Sequence, residues 1–135
     1  MATTTATLTL SSADLTGDAL ALTTIATLSK AGTATGMSET SGVGRKTTTA
    51  TAQYTLFDGN DYAATGSHKV YLKNTSSTSS EFFTLTINAE EVGRLYAGDW
   101  AFLPWGAHDA DNDIKITPSV STSMTLEYML IYQAA

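Results

Sequence analysis

Residues 124–132 read Met-Thr-Leu-Glu-Tyr-Met-Leu-Ile-Tyr and place Met124, Leu126, Tyr128, Leu130 and Tyr132 on alternate positions. A strand sends successive side chains to opposite faces, so this period of two builds one continuous apolar face and predicts a half-buried β-strand. The same reading extends upstream. Glu81 to Asn88 sets Phe83, Leu85 and Ile87 on one face, and Lys69 to Asn74 turns Val70 and Leu72 inward against Lys69, Tyr71 and Lys73. Shorter strands are predicted at Glu91–Tyr96, Trp100–Trp105 and Asp113–Thr117, and one long strand at Arg45–Phe57. Asp58-Gly59-Asn60-Asp61 is turn chemistry, because Gly and Asn tolerate positive φ and Asp closes local hydrogen bonds.

Nearer the N-terminus, Thr3–Leu10 carries Ala6, Leu8 and Leu10 on one face, and Ala19–Lys30 carries Leu20, Leu22, Ala26 and Leu28 on one parity. A helix competes over the second segment, since Ser12 could cap it and Leu15, Leu22, Ile25 and Leu28 are nearly helically spaced. Thr23, Thr24 and Thr27 weigh against it, because β-branched side chains lose rotamer freedom in a helix. Residues Ala31 to Gly44 read as a Gly/Ser/Thr loop. Threonine is about one residue in five or six of the whole chain, which favours sheet. The expectation is an all-β, single-domain antiparallel β-sandwich over residues 1–135, jelly-roll-like, of about eight or nine strands. Residues 1–10 would form an extended N-terminal arm or edge strand.

Composition removes several functional classes. A net charge of −6 and seven scattered Lys and Arg residues argue against a nucleic-acid groove, which needs clustered cations. With no cysteine there is no disulfide framework and no thiolate metal site. The N-terminus lacks the basic and apolar regions of a signal peptide, and no stretch is apolar enough for a membrane helix. His68 and His108 stand far apart in polar segments with no nucleophile motif beside them, so both read as surface loop residues and no catalytic residue or cofactor is expected. Asp109, Asp111 and Asp113 begin like a calcium loop, but the sixth place is Ile114 and the twelfth Val120 where glycine and a bidentate Glu belong. They remain weak metal candidates beside a plainer reading as a solvated turn. Asn74-Thr75-Ser76 matches a glycosylation acceptor within a Ser/Thr-rich turn.

The stretch from Gly93 to Gly106 carries the most information. Trp100, Phe102 and Pro104 occupy one parity and Ala101, Leu103 and Trp105 the other, so the strand is apolar on both sides and must be covered on both. Large rigid aromatics are favoured at protein interfaces, which makes Tyr96, Trp100, Phe102, Leu103 and Trp105 the interface candidates, most naturally in a homotrimer. Burial of both tryptophans inside the monomer is the competing explanation.

The runs GRLYAGDWAFLPW, DIKITPS and MTLEYMLIY, with the earlier ATLTLSSADLT and KVYLKNTSSTSSEFFTLTIN, resemble small virion proteins of marine tailed bacteriophages, including cyanophages. The resemblance covers most of the chain and marks a fold rather than a chemistry. It implies a β-rich structural subunit, made in the host cytoplasm and carried on the virion, with other copies of itself and the major capsid protein as partners. A capsid decoration (cement) protein is the leading expectation, with a neck, tail or fibre-associated protein beside it. A carbohydrate-binding jelly-roll module, stacking Trp100 or Trp105 on sugar, is the alternative from another class.

Overall fold

The computed structural model describes residues 3–37, 39–108 and 110–133. Among them are eleven strands and two single-turn helices, and every sheet pairing between strands is antiparallel. The sequence predicts one domain, but the chain divides into two compact units, Met1–Ser38 and Glu39–Ala135. The difference lies in what the second apolar segment pairs with. Strand β2 (Asp18–Thr27) pairs only with β1 (Thr5–Thr16), and neither joins a larger sheet. Residues 5–10 of the expected 1–10 arm thus belong to a long hairpin, and the competing helix does not form. Its tip closes through Gly17, whose φ of 74° is readily open to a residue without Cβ. Beyond β2, a bridge between Ser29 and Gly36 closes a tight turn inside the predicted loop.

The second unit is the expected sandwich. One sheet runs in the order β5 (Tyr54–Phe57), β10 (Ile114–Pro118), β7 (Phe82–Ile87), β8 (Glu90–Tyr96). The other pairs β11 (Met124–Tyr132) with β6 (His68–Asn74), and β6 with β9 (Trp100–Trp105). On its far edge β11 takes both β4 (Gly44–Thr48) and the two-residue β3 (Glu39–Thr40). Leaving out β3, one sheet runs β4-β11-β6-β9 and the other β5-β10-β7-β8, which is jelly-roll order. The strand count exceeds the predicted eight or nine because β3 is an added strand and the predicted Arg45–Phe57 strand is two, β4 and β5.

The core is where the alternation meets. Val70, Leu72, Met124, Leu126 and Leu130 from one sheet pack with Phe83, Leu85, Ile114 and Ile116 from the other, all buried. The strand predicted over Arg45–Phe57 is broken in two at residues 49–53, because β4 pairs with β11 and β5 with β10 in the opposite sheet. One straight strand cannot serve both layers. Asp58 does close the predicted turn: its carboxylate accepts the Asn60 backbone N–H at 2.9 Å. The β7–β8 connection needs positive φ at both central residues, Asn88 at 55° and Ala89 at 60°, as two-residue hairpin turns of the primed kind do.

Candidate interaction surfaces

The five interface candidates occupy three different environments. Trp105 is 3% exposed and belongs to the core, against Phe57, Tyr62 and His68, with ring centroids 6.1, 5.5 and 5.7 Å away. Its indole N–H donates to the Asn112 carbonyl at 2.7 Å, so even the polar edge is satisfied within the chain. The expectation that Trp105 faces a partner is therefore corrected: the β9 parity that carries it is the inward one. Leu103 and Ala101, on the same parity, are half-buried and pack on that core.

Trp100 (52% exposed) and Phe102 (37%) lie on the opposite, outward face of β9. Tyr96 is exposed on β8, in the other sheet, where it packs against Phe82 at 5.0 Å. The Arg94 guanidinium lies 4.7 Å over the same Phe82 ring. Tyr96 and Trp100 are close in sequence, but the turn between them carries the chain from one sheet to the other. They do not form one patch.

Register fixes what surrounds Trp100 and Phe102. Trp100 stands opposite Lys73, which stands opposite Glu127, which stands opposite Arg45. One row along, Phe102 faces Tyr71 and Tyr71 faces Met129; in the next, Pro104 faces Lys69. The outer face is thus an aromatic and apolar strip flanked by Arg45, Lys69 and Lys73, with Glu127 as its carboxylate. Glu127 accepts from the Tyr71 hydroxyl at 3.0 Å and from Arg45 at 3.1 Å. These two donors, Tyr71 foremost, hold its carboxyl below the ordinary range, while burial and then the Glu127 bond push the Tyr71 phenol up. Burial lowers the Lys69 ammonium, which donates to the Ser67 hydroxyl at 2.8 Å and the Ser67 carbonyl at 3.0 Å.

The hairpin supplies the other open surface. No residue of β1 or β2 is buried. Leu10 pairs with Leu22 and Ala6 with Ala26, while Leu8 and Leu20 share their parity, so six aliphatic side chains line one face. Leu10 and Leu22 are 44% and 45% exposed. Parity within each segment was readable in sequence; that the two segments share a face was not.

The remaining candidates are structural or unassembled. His68, expected on a surface loop, is fully buried: its Nε2–H donates to the Ala63 carbonyl at 2.8 Å while Nδ1 accepts the Gln133 N–H at 3.1 Å. That pair of bonds assigns the tautomer. Its position as the first residue of β6, on the inward parity of Val70 and Leu72's sheet, was masked by the polar residues before it. His108 is exposed. Asp109 lies outside the described residues. Asp113 is buried and accepts the Gly59 N–H at 2.8 Å, tying two loops together, and Asp111 is exposed. Among the described residues no three His, Cys, Asp or Glu side chains are grouped to hold a metal.

Asn74 is buried, with its amide donating to the Leu95 carbonyl at 2.9 Å and its oxygen accepting the Ser76 N–H at 2.9 Å. It pins the β8–β9 turn and is not presented to a glycosylating enzyme. A polar hollow of about 270 Å³ beside it is lined by Thr75, Ser76, Glu81 and Thr125, but Ser76 bonds Glu81 and Thr75 bonds the Thr125 carbonyl. Among the described residues no helix is long and apolar enough to cross a membrane. No protein-family model, curated protein or solved structure matches the chain.

Proposed function

We propose that this chain is a structural assembly subunit of a tailed-phage virion, a capsid decoration protein that acts by binding rather than by catalysis. The observation that carries the reading is the β1–β2 hairpin. An isolated two-stranded sheet is marginal in water, because neither face is sheltered. Here neither strand has a buried residue, yet one face carries six aliphatic side chains. A surface of that kind is stabilised by whatever covers it, as a subunit built for assembly requires.

The resemblance of the Gly93–Trp105 and Met124–Tyr132 stretches to small phage virion proteins supplies the setting. In that setting the function is thermodynamic. A subunit that binds the assembled head lattice and not its dissociated parts shifts the equilibrium toward the lattice, by an amount that grows with free subunit concentration. The jelly-roll core keeps the sandwich rigid, while the hairpin and the Trp100–Phe102 face supply contacts.

The test is stoichiometry and rescue. Phage particles lacking the protein should regain it from solution at many copies per head and then withstand heat or chelator better. Recovery of only a few copies at one vertex would assign it to neck or tail. Protein that never associates with particles, and instead is retained by a glycan surface through Trp100, would overturn the reading in favour of carbohydrate binding.

A further inference from the structure

The hairpin and the outer face of β9, β6 and β11 are complementary, and we infer that they are two halves of one interface between copies of this chain. The inference deepens the assembly reading by naming the partner as a second copy. On the hairpin, Ala6, Leu8, Leu10, Leu20, Leu22 and Ala26 share one face. Residues 3–29 contain Asp14 and Asp18 and no Lys or Arg. On the sandwich, Trp100, Phe102, Pro104, Tyr71 and Met129 form an apolar strip bordered by Arg45, Lys69 and Lys73. Glu127 on that face already serves Arg45 and Tyr71.

Sheet packs on sheet at about 10 Å when both inner faces are apolar. A two-stranded ribbon laid on the β9 face would bury the leucines on Trp100 and Phe102, with its carboxylates over the cationic border. Charge selects this arrangement over a symmetric pairing of two hairpins. Hairpin on hairpin would give those carboxylates no cationic partner, since residues 3–29 carry no Lys or Arg. Hairpin on sandwich pairs opposite signs. The contact is head-to-tail, since two different patches meet, and such contacts close into rings when the rotation permits. A closed trimer is one such ring.

The experiment is sedimentation velocity on the full chain, read over a concentration series, with far-UV circular dichroism as the fold control. Wild-type protein should self-associate. The hairpin reversal D14K/D18K and the face reversal K69E/K73E should each weaken association by about tenfold or more. The quadruple variant D14K/D18K/K69E/K73E should recover much of it, because the Asp and Lys signs are exchanged together while Arg45 stays paired with Glu127. W100S, at a solvent-exposed position, should weaken association with the fold intact. A wild-type chain monomeric at high micromolar concentration overturns the inference, as does either reversal leaving association unchanged. Weakening by both reversals without recovery in the quadruple variant also overturns it, since the two surfaces then contact something other than each other. The readout uses isolated protein, so a chain that assembles but never binds phage heads would defeat the proposed function alone.

Discussion

The hairpin and the sandwich are written in the same alphabet and meet opposite fates. Leu10 and Leu22 sit on a strand pair with alternating apolar positions, as do Leu72 and Leu126. The first two are nearly half exposed and the second two are wholly buried. What differs is the second layer. The sandwich strands come as two sheets whose apolar faces close on each other, whereas β1 and β2 pair only with one another. Alternation therefore creates a face, and topology decides whether that face is a core or a contact.

The largest effect should come from trading the same substitution between the two regions. Leu72→Ala should destabilise the sandwich by about 2–5 kcal/mol, through lost transfer energy and the cavity left behind. Leu10→Ala should change monomer stability by no more than about 0.5 kcal/mol. Urea unfolding of both variants, at a concentration where the chain is monomeric, checks the pair. A large cost at Leu10 would mean the hairpin is packed within its own chain and would break the comparison.

The buried end of β6 offers the next effect. A Cβ at Gly66 would land inside contact distance of the His68 imidazole, so Gly66→Ala must displace that ring from its two hydrogen bonds. A cost of about 1–3 kcal/mol is expected, and His68→Ala should cost a similar amount by removing two hydrogen bonds and the ring packed against Tyr62 and Trp105. Thermal unfolding measures both. His108→Ala, at an exposed residue, should be silent.

Turn chemistry sharpens the contrast on a smaller scale. Gly17 closes the exposed hairpin at positive φ, while the β7–β8 turn of the sandwich places Ala89 there. Ala89→Gly should raise stability by about 0.5–1 kcal/mol, because glycine enters that region without a Cβ penalty. Gly17→Ala should leave the sandwich transition unchanged and loosen only the hairpin, seen as faster amide exchange across the Leu10–Leu22 pair.

The smallest effect is electrostatic. Tyr71 and Arg45 hold the Glu127 carboxyl below its ordinary value, so the unfolded chain binds more protons than the folded one as pH falls. The contribution is complete above the unfolded-state value and is lost as pH drops through the folded one. Glu127→Gln should flatten the rise of the urea midpoint between about pH 3 and 5, leaving the midpoint unchanged at the acid end and slightly lower at neutral pH. Because the pair is exposed, the loss should be slight beside that at Leu72.

Most sandwich strands were legible because each carries a period-two pattern that a core must satisfy; β6, β7 and β11 fall within a residue or so of their expected ends. The break between β4 and β5 was not, since a corner between sheets leaves alternation on both sides intact. Trp105 and Trp100 looked equivalent for a related reason. On a strand apolar at every position, parity cannot say which face is inward. Only pairing with β6, where His68 opposes Trp105 and Lys73 opposes Trp100, makes the choice. His68 was misread because its polar neighbours describe the loop it leaves rather than the strand it begins.

By itself, then, the sequence determined the all-β class, most strand positions and the turn at Asp58–Asp61, because backbone preferences and side-chain alternation act over a few residues. Tertiary structure decided that the first two strands pair only with each other as a hairpin, and that Trp105 is core while Trp100 is surface. It also decided that Lys69, Tyr71, Lys73 and Phe102 share a face with Glu127. Those outcomes depend on which distant strands pair and what lies above them, and free energies of that kind are set by contacts between segments, which no local pattern contains.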